Sequence, residues 1–258
     1  MGSRSRRSCR SGAPLRAWVD LEGAVNVRDV GGLPVEGGGF TAPGVLVRSD
    51  NLQGLTERDV ARLVDELGVR VVVDLRTHAE LDLEGPGPLV ADDRVEIRHR
   101  SLYPEKGQLT DVMISRADGE NPAVQYYLAY LRDRPDSIVG ALEDIATADG
   151  SVLVHCAAGK DRTGVVVAMA LAAVGVERDA IVADYEATGE RITAIMDRLR
   201  ASETYRRDLE GIPDDQRMPR PEYLERVLEV LDERHGGAAG WLAEHGFDPA
   251  PLRERLLR

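Results

Sequence analysis

The sequence has little cysteine, few aromatic residues and no long apolar run. Its 2 cysteines, Cys9 and Cys156, form no CxxC pair, which excludes a disulfide framework and a cysteine-rich zinc site. The longest apolar stretch, 165–174, is far shorter than the roughly 20 residues that span a bilayer, so no transmembrane helix is expected. Together these absences predict a protein of a reducing compartment, with a cytoplasmic location.

Positive charge is also scarce, because the formal net charge of the 258 residues is -12 at pH 7. An acidic body repels nucleic-acid phosphates, so no nucleic-acid partner is expected. Residues 1–17 depart from this balance, since they are rich in arginine and hold no acid. They are predicted to form a disordered basic tail, and residues 18–258 are predicted to form a single domain. Composition leaves the oligomeric state open.

The apolar pattern predicts an α/β fold, with a central, mostly parallel sheet flanked by helices. Runs at 45–47 and 69–74 are typical of strands, and residues 56–67 between them have helical spacing. Thr56 can cap that helix and Gly68 can end it, giving a β-α-β unit whose two strands pair in parallel. Further patterns predict strands at 95–97 and 151–154, and helices at 122–131, 135–146 and 165–174.

Two segments outside this core have their own predictions. Residues 103–120 show no clear period and are expected to form a mobile loop. Residues 177–258 are helical in pattern, with glycine and proline breaks at 189, 211–213, 219–221, 236–237 and 249. We expect additional C-terminal helices there, as an extension of the domain or as a lid over its site.

A loop from His155 to Gly164 stands between the predicted strand at 151–154 and the helix at 165–174. This placement aims backbone N–H groups and the positive end of a helix at one point, as proteins commonly do to hold phosphate. The same field stabilises a thiolate, which makes Cys156 a candidate nucleophile near neutral pH. Arg162 can return its planar guanidinium to the same phosphate in a bidentate manner. The loop therefore predicts phosphoryl transfer.

The other loop residues have supporting roles in this interpretation. Thr163 can donate a hydrogen bond to the sulfur and help it leave in a second, hydrolytic step. His155 is expected to support the loop from behind. No cluster with metal-ligand spacing occurs, so neither a metal nor another cofactor is expected. The groups predicted to bind the substrate phosphate are Ala157, Ala158, Gly159, Lys160, Thr163 and Gly164.

The motif His-Cys-x5-Arg-Thr resembles the signature of the protein tyrosine phosphatase superfamily. Residues 159–164, Gly-Lys-Asp-Arg-Thr-Gly, are similar to the loop of its atypical bacterial and fungal branch, the tyrosine/serine and phosphoinositide phosphatases. Segments 26–32, 47–50, 73–77 with Glu80, and 184–188 extend the likeness to about residues 24–200. The resemblance implies the cysteine phosphatase fold and a thiophosphate intermediate on the cysteine.

The sequence leaves the general acid open. Better-known tyrosine phosphatases carry an aspartate after Trp-Pro, and no Trp-Pro-Asp occurs here. The resemblance makes Asp161 the first candidate. Asp74 is the second, because it ends a predicted parallel strand, where α/β sites open, although it could instead bond the backbone of the turn at 76–77. Asp111 and Asp118 are outside candidates.

The substrate also stays open, between a phosphotyrosine protein, a phosphoinositide and a small phosphate ester such as a sugar or nucleoside phosphate. Lys160 beside Arg162 resembles the loops of phosphoinositide phosphatases, while the 2 Phe and 2 Trp offer no obvious platform for a phosphotyrosine ring. A non-catalytic phosphoester-binding module is an alternative function. A sulfurtransferase is another, although it would not need Arg162 and Thr163 at this spacing.

Overall fold

The computed structural model of the chain describes residues 17–104 and 121–258. The predicted basic tail lies almost wholly outside these residues. So does most of the loop predicted at 103–120, including Asp111 and Asp118.

Within the described residues, six strands form one sheet at the centre of the fold. The strands are β1 (Ala17–Trp18), β2 (Arg28–Asp29), β3 (Leu46–Ser49), β4 (Val69–Asp74), β5 (Glu96–His99) and β6 (Ser151–His155). Their order across the sheet is β1-β2-β3-β6-β4-β5. The last four strands in this order run parallel, and β1 and β2 add an antiparallel edge. The prediction of a mostly parallel sheet is confirmed.

The prediction that the strands at 45–47 and 69–74 pair with each other is wrong. β6 lies between β3 and β4 and pairs in parallel with both, placing Leu46 opposite Val152 and Asp74 opposite His155. All residues of β6 are buried. Its three central residues, 152–154, are apolar, and a strand with such a run gains most from a position covered on both faces, which is the middle of the sheet. The loop that follows β6 therefore emerges at the centre of the sheet edge.

Helices flank the sheet, and most begin at residues that favour helix starts. They are α1 (Glu57–Ala61), α2 (His78–Glu84), α3 (Pro122–Asp133), α4 (Pro135–Thr147), α5 (Asp161–Ala173), α6 (Arg178–Ala187), α7 (Ile192–Ala201), α8 (Glu203–Leu209), α9 (Pro221–His235), α10 (Ala238–Glu244) and α11 (Ala250–Leu256). α1 continues as a π-helical turn over Arg62–Glu66, and short 3-10 turns cover Pro88–Ala91, Thr188–Arg191 and Asp214–Arg217.

The helix predicted at 56–67 begins and ends where the sequence indicated. Thr56 forms a capping box with Asp59, in which the threonine hydroxyl accepts from the Asp59 N–H at 3.2 Å. Gly68 follows the π-helical turn with a φ of +66°, a conformation that favours glycine.

Two apolar cores cover the two faces of the sheet, because successive side chains of a strand point to opposite sides. Val71 and Val73 of β4 pack with the larger core, to which α3–α6 and α9–α11 contribute. Val72 of the same strand packs with the smaller core beside α1. A third cluster joins Ala157 of the loop to apolar side chains of α7 and α8.

The C-terminal helices predicted after residue 177 therefore divide into two groups. α6 and α9–α11 complete the larger core, and the end of the chain is tied to it by a bridge between Leu257 and Thr41. α7 and α8 instead pack over the loop after β6. Across the described ranges, no helix has the length and apolar character needed to cross a membrane.

Candidate active site

The loop after β6 lies at the carboxyl edge of the parallel strands, where sites of α/β proteins open. His155 ends β6, and Cys156 follows it, with only 2% of its surface exposed. α5 begins at Asp161, earlier than predicted, because the Gly164 N–H finds the Lys160 carbonyl at 2.8 Å. Arg162, Thr163 and Gly164 consequently lie in the first turn of a helix.

The first two carbonyl groups of the loop are bound from behind. The Asn51 N–H donates to the Ala157 carbonyl at 2.9 Å. Nδ1 of His155 lies 3.2 Å from the Cys156 carbonyl oxygen, a contact that supports the predicted role of His155 in ordering the loop.

The next two carbonyl groups are held by side chains from β3 and from the segment before β2. Nδ2 of Asn26 donates to the carbonyls of Ala158 and Gly159, at 3.0 and 3.1 Å. Nη2 of Arg48 donates to the Gly159 carbonyl at 2.8 Å. Gly159 has a φ of +65°, and a Cβ at this position would lie 2.3 Å from the Ser49 carbonyl oxygen, so only glycine fits.

The N–H groups of the loop have the opposite arrangement. In the described part of the chain, no hydrogen bond is donated by the backbone N–H groups of Ala157, Ala158, Gly159 and Lys160. Carbonyls drawn to one side leave successive N–H groups turned toward the other, which forms a concave anion-binding nest. The N-terminus of α5 adds its positive end at the same place.

A buried ion-pair network holds the side chains behind the loop. Asp184 of α6 accepts from Nε of Arg28 at 2.8 Å and from Nη1 of Arg48. Nη1 of Arg28 also donates to Oδ1 of Asn26 at 2.6 Å. Burial alone would raise the pKa of Asp184, but the two guanidinium groups outweigh it and lower that pKa to about 2. The carboxylate therefore stays ionised between two buried cations.

Arg162 is held in place by Glu80, which α2 presents toward it. Nη1 and Nη2 of Arg162 donate to the two Glu80 oxygens, at 2.6 and 2.9 Å. Glu80 is itself fixed by the capping box of α2, where it accepts from the Thr77 N–H at 2.8 Å. Burial opposes ionisation of Glu80, yet Arg162 and Thr77 lower its pKa to about 2.

The Arg162 guanidinium also faces the nucleophile candidate. Burial alone would lower its pKa, but Glu80 and Cys156 outweigh that effect and raise the pKa well above its usual value. Arg162 therefore remains charged beside the cysteine. Its guanidinium carbon lies 5.3 Å from the centre of the Tyr103 ring.

The sequence matches the model of the tyrosine phosphatase family over residues 19–258. The chain belongs to the tyrosine phosphatase family. It is 32% identical to the triple specificity protein phosphatase PtpB of Mycobacterium tuberculosis, over 90% of this chain and 95% of that protein. It is 29% identical to a tyrosine-protein phosphatase of Nostoc commune, over 82% of this chain and 73% of that protein. The solved structure of TpbA from P. aeruginosa is 18% identical, with a TM-score of 0.35, and covers 95% of this chain and 97% of its own.

This membership confirms the predicted class of the chain, a cysteine-dependent phosphoric monoester hydrolase with the cysteine phosphatase fold. The individual roles of the loop residues remain predictions. The position of each residue in the phosphatase supports or weakens its predicted role.

Asp161, the first candidate for the general acid of the phosphatase, lies at the start of α5. Its Oδ1 accepts a hydrogen bond from the Tyr127 hydroxyl, and its Oδ2 lies 3.6 Å from Nζ of Lys160. Its side chain is 39% exposed, so a substrate can reach it. Lys160 itself donates to the Arg217 carbonyl at 2.8 Å.

Asp74, the second candidate, is buried, and its partners are Arg76 and His155. It accepts from the Arg76 N–H at 3.0 Å and from the Arg76 guanidinium at 2.6 to 3.1 Å, and its Oδ2 lies 3.4 Å from Nε2 of His155. Burial would raise its pKa, but His155 and Arg76 together hold that pKa far below its usual value. Asp74 therefore carries no proton to give near neutral pH. Its hydrogen bonds instead fit the alternative interpretation, in which its carboxylate braces the turn after β4.

The surroundings of Thr163 fit its predicted role, whereas those of Gly164 do not. Thr163 is fully buried, and its Oγ1 has no hydrogen-bond partner among the described residues, so it is free to donate. The N–H of Gly164 is used within α5, and a Cβ at this position would lie 2.9 Å from the Tyr185 ring. The phosphate-binding prediction for Gly164 receives no support, and its contact with Tyr185 indicates a packing role.

α7 and α8 cover the loop of the phosphatase from the C-terminal side. The cluster over Ala157 consists of Ile192, Ile195, Met196, Leu199, Tyr205 and Leu209. Nη1 of Arg198 donates to Oδ2 of Asp50 at 2.8 Å, while Oδ1 of Asp50 accepts from the Asn26 N–H at 2.9 Å. One carboxylate thus links α7 to the segment that holds the loop carbonyls.

Several tyrosines near Asp161 and Arg162 carry no signal in the sequence. They are Tyr127 and Tyr130 of α3, and Tyr103, which meets them only in the folded chain. Tyr185 belongs to the 184–188 segment that the resemblance had marked, and it completes the group. The aromatic side chains near Asp161 and Arg162 are thus tyrosines rather than phenylalanines or tryptophans.

Gly159→Ala is expected to lower kcat/KM by roughly 10²-fold, because a displacement of about 1 Å in a positioned site has that effect. The added Cβ would meet the Ser49 carbonyl, and the loop would have to move. Gly246→Ala is the matched control, since Gly246 has a φ of +80° but nothing within 4 Å of its Cβ position. Steady-state kinetics of both variants test this, and equal activity in the two would contradict the close fit.

Asp184→Asn is expected to destabilise the fold by about 3–5 kcal/mol, because it leaves two buried guanidinium groups without their carboxylate. The pKa of Asp184 is depressed, so its contribution is present above about pH 4 and is lost as pH falls toward 2. The difference from the native chain should therefore shrink over that range in denaturant unfolding. Asp179→Asn, at an exposed position of the same helix, is the control, and an equal effect there would contradict the network.

Proposed function

We propose that this chain hydrolyses phosphate monoesters in two steps, through a thiophosphate intermediate on Cys156. The observation that carries this proposal is the nest after β6, in which carbonyls 156–159 are bound from behind and N–H groups 157–160 are left for an anion. Such preorganised donors stabilise the charge of a phosphoryl group in the transition state without rearranging. Cys156 and Arg162, which interact electrostatically, supply the nucleophile and a charged bidentate donor.

In the first step the Cys156 thiolate attacks phosphorus, so that the S–P bond forms while the bond to the leaving oxygen breaks. Asp161 gives its proton to that oxygen. Arg162 and the N–H groups of Ala157, Ala158, Gly159 and Lys160 hold the other phosphate oxygens.

In the second step a water molecule attacks phosphorus, and the S–P bond breaks to release inorganic phosphate. Asp161, now ionised, accepts the proton of the water. The Thr163 hydroxyl donates to the departing sulfur, a role supported by its burial without another partner among the described residues. The protons balance over the two steps, because Asp161 ends protonated as it began.

We assign the acid to Asp161 for two structural reasons. Its side chain is accessible, and one of its oxygens has no hydrogen-bond partner among the described residues. Asp74 is buried and held ionised by His155 and Arg76, which suits it to bracing the turn.

The substrate classes that fit this site are a phosphotyrosine protein, a phosphoinositide and a small phosphate ester. The names of the relatives, a tyrosine-protein phosphatase and a triple specificity protein phosphatase, support the first and a broad range beyond it. Tyr103 lies over Arg162 and offers a ring beside the phosphate position. A cytoplasmic location is part of the proposal, since it keeps the nucleophilic thiol reduced.

Residues 18–258 are proposed to act as a single domain in which α7 and α8 form a lid. Two contacts support this: apolar side chains of α7 and α8 pack on Ala157 of the loop, and the Arg217 carbonyl, in the 3-10 turn that follows α8, accepts from Lys160. Opening of this segment would release the Lys160 ammonium toward a bound phosphate.

Cys156→Ser is expected to lower kcat by more than about 10³-fold and to leave binding of inorganic phosphate intact, because an alcohol is not ionised by a field that suffices for a thiol. Turnover of nitrophenyl phosphate and calorimetric titration with phosphate measure the two effects. Cys9→Ser is the control for the same chemical change. Activity of Cys156→Ser within tenfold of the native chain would refute the mechanism.

Asp161→Asn is expected to lower kcat/KM by about 10²-fold for an alkyl phosphate, whose leaving oxygen needs a proton. The loss should be much smaller for nitrophenyl phosphate, and the basic limb of the pH profile should flatten. Asp74→Asn is the comparison, and it should affect both substrates equally. A leaving-group dependence that appears in Asp74→Asn instead would reverse the assignment of the acid.

A further inference from the structure

A chain of three hydrogen-bonded side chains lies at the start of α5. The Tyr127 hydroxyl of α3 contacts Oδ1 of Asp161, and it lies 2.8 Å from the Tyr185 hydroxyl of α6. Tyr127 and Tyr185 are 3% and 1% exposed, whereas the Asp161 side chain is 39% exposed. Two buried hydroxyls thus reach a carboxylate that opens toward solvent.

The direction of these hydrogen bonds follows from protonation. Burial raises the pKa of Tyr127 well above its usual value, with a further contribution from the charge of Asp161, and burial likewise raises the pKa of Tyr185. Both phenols are therefore neutral near pH 7. Oδ1 of Asp161 can accept whether the carboxyl is ionised or carries its proton on Oδ2, so Tyr127 donates to Asp161, and the Tyr127 oxygen is left to accept from Tyr185. Each bond in such a chain strengthens the next.

The two Asp161 oxygens consequently have different surroundings. Oδ1 is occupied by Tyr127, while Nζ of Lys160 lies 3.6 Å from Oδ2, beyond hydrogen-bond distance. Rotation of the carboxylate would break the bond to Tyr127. Oδ2 is thus the oxygen left to exchange a proton with a reacting group.

We infer that Tyr127, supported by Tyr185, is a positioning residue that holds Asp161 so that Oδ2 alone gives and receives the proton in the two steps. This inference rests on the proposed function of Asp161. Tyr127 touches neither the substrate nor the reacting atoms and acts through the carboxylate.

Other charged and phenol groups lie near Asp161 but do not share this bond. Lys160 precedes it in the loop and Arg162 follows it in α5. Tyr103 and Tyr130 lie within electrostatic range, and their hydroxyls are 3.2 Å from each other. Tyr130 is buried on the same helix as Tyr127 and is therefore the matched control for loss of a phenol hydroxyl.

The test compares Tyr127→Phe with Tyr130→Phe, using kcat/KM for an alkyl phosphate and for nitrophenyl phosphate across pH. Tyr127→Phe should lose on the order of tenfold on the alkyl phosphate, the effect of one hydrogen bond to a charged group, and about twofold or less on the nitrophenyl ester. The basic limb should move to higher pH, because the ionised form of Asp161 has lost a donor. Tyr130→Phe should leave the ratio of the two substrates and the basic limb unchanged.

Equal losses on both substrates with an unmoved basic limb would overturn the inference, because they indicate packing alone. The same pattern in Tyr130→Phe as in Tyr127→Phe would also overturn it. Should Tyr127→Phe fail to fold, Tyr185→Phe serves in its place, since it weakens the chain one bond away and should give a smaller effect of the same kind. No change in the substrate ratio for Tyr185→Phe would then count against the inference.

Asp161→Asn separates this inference from the function on which it rests. If Asp161→Asn shows no leaving-group dependence, the proposed acid is wrong, whatever Tyr127 does. If Asp161→Asn shows that dependence and Tyr127→Phe does not, only the positioning role fails. In the double variant, removal of Tyr127 should add no further leaving-group dependence to that of Asp161→Asn.

Discussion

The site depends on one constraint: the carbonyl groups of the loop after β6 are hydrogen-bonded to groups behind the loop. A backbone segment can offer successive N–H groups to an anion only if its carbonyls find partners elsewhere. Here the partners are a backbone N–H, an imidazole, an amide and a guanidinium, from four places in the chain. Gly159 adds the φ of +65° that lets the loop turn against Ser49. The cradle therefore exists before any phosphate arrives.

This arrangement requires charged side chains to be buried, and the surrounding structure compensates them in pairs. Arg28 and Arg48 share Asp184 behind the loop, while Arg162 shares two hydrogen bonds with Glu80 beside it. Removing one partner of such a pair leaves an uncompensated buried charge, which is far more costly than the pair itself. The acidic composition of the chain is consistent with this, since Arg28, Arg48 and Arg162 are all held by carboxylates. A bound phosphate then meets N–H groups and one guanidinium whose positions are already fixed.

Local features of the site could be predicted from the sequence, and features that depend on distant contacts could not. Short sequence patterns, in which residues interact only with near neighbours in the chain, predict the loop, the family, the Thr56 cap and most strands and helices. The place of β6 between β3 and β4 was missed, because strand order depends on which strand is buried on both faces. Tyr127 could not be predicted for a similar reason, since α3 and α5 are far apart in the sequence and nothing near position 127 marks its hydroxyl as the partner of Asp161. Asp74 had two interpretations in the sequence, and His155 and Arg76 favour the structural one.

If the nest presents phosphorus to the sulfur of Cys156, mass spectrometry of the quenched enzyme should detect the phosphorylated cysteine. The enzyme would be mixed with excess aryl phosphate, stopped within the first turnover and digested, in the native form and with the second step slowed by Asp161→Asn. We expect the peptide containing Cys156 to gain the mass of one phosphoryl group, and the native form to lose it as turnover proceeds. A phosphoryl group on any other residue, or continued turnover with the Cys156 peptide never modified in either form, would contradict it.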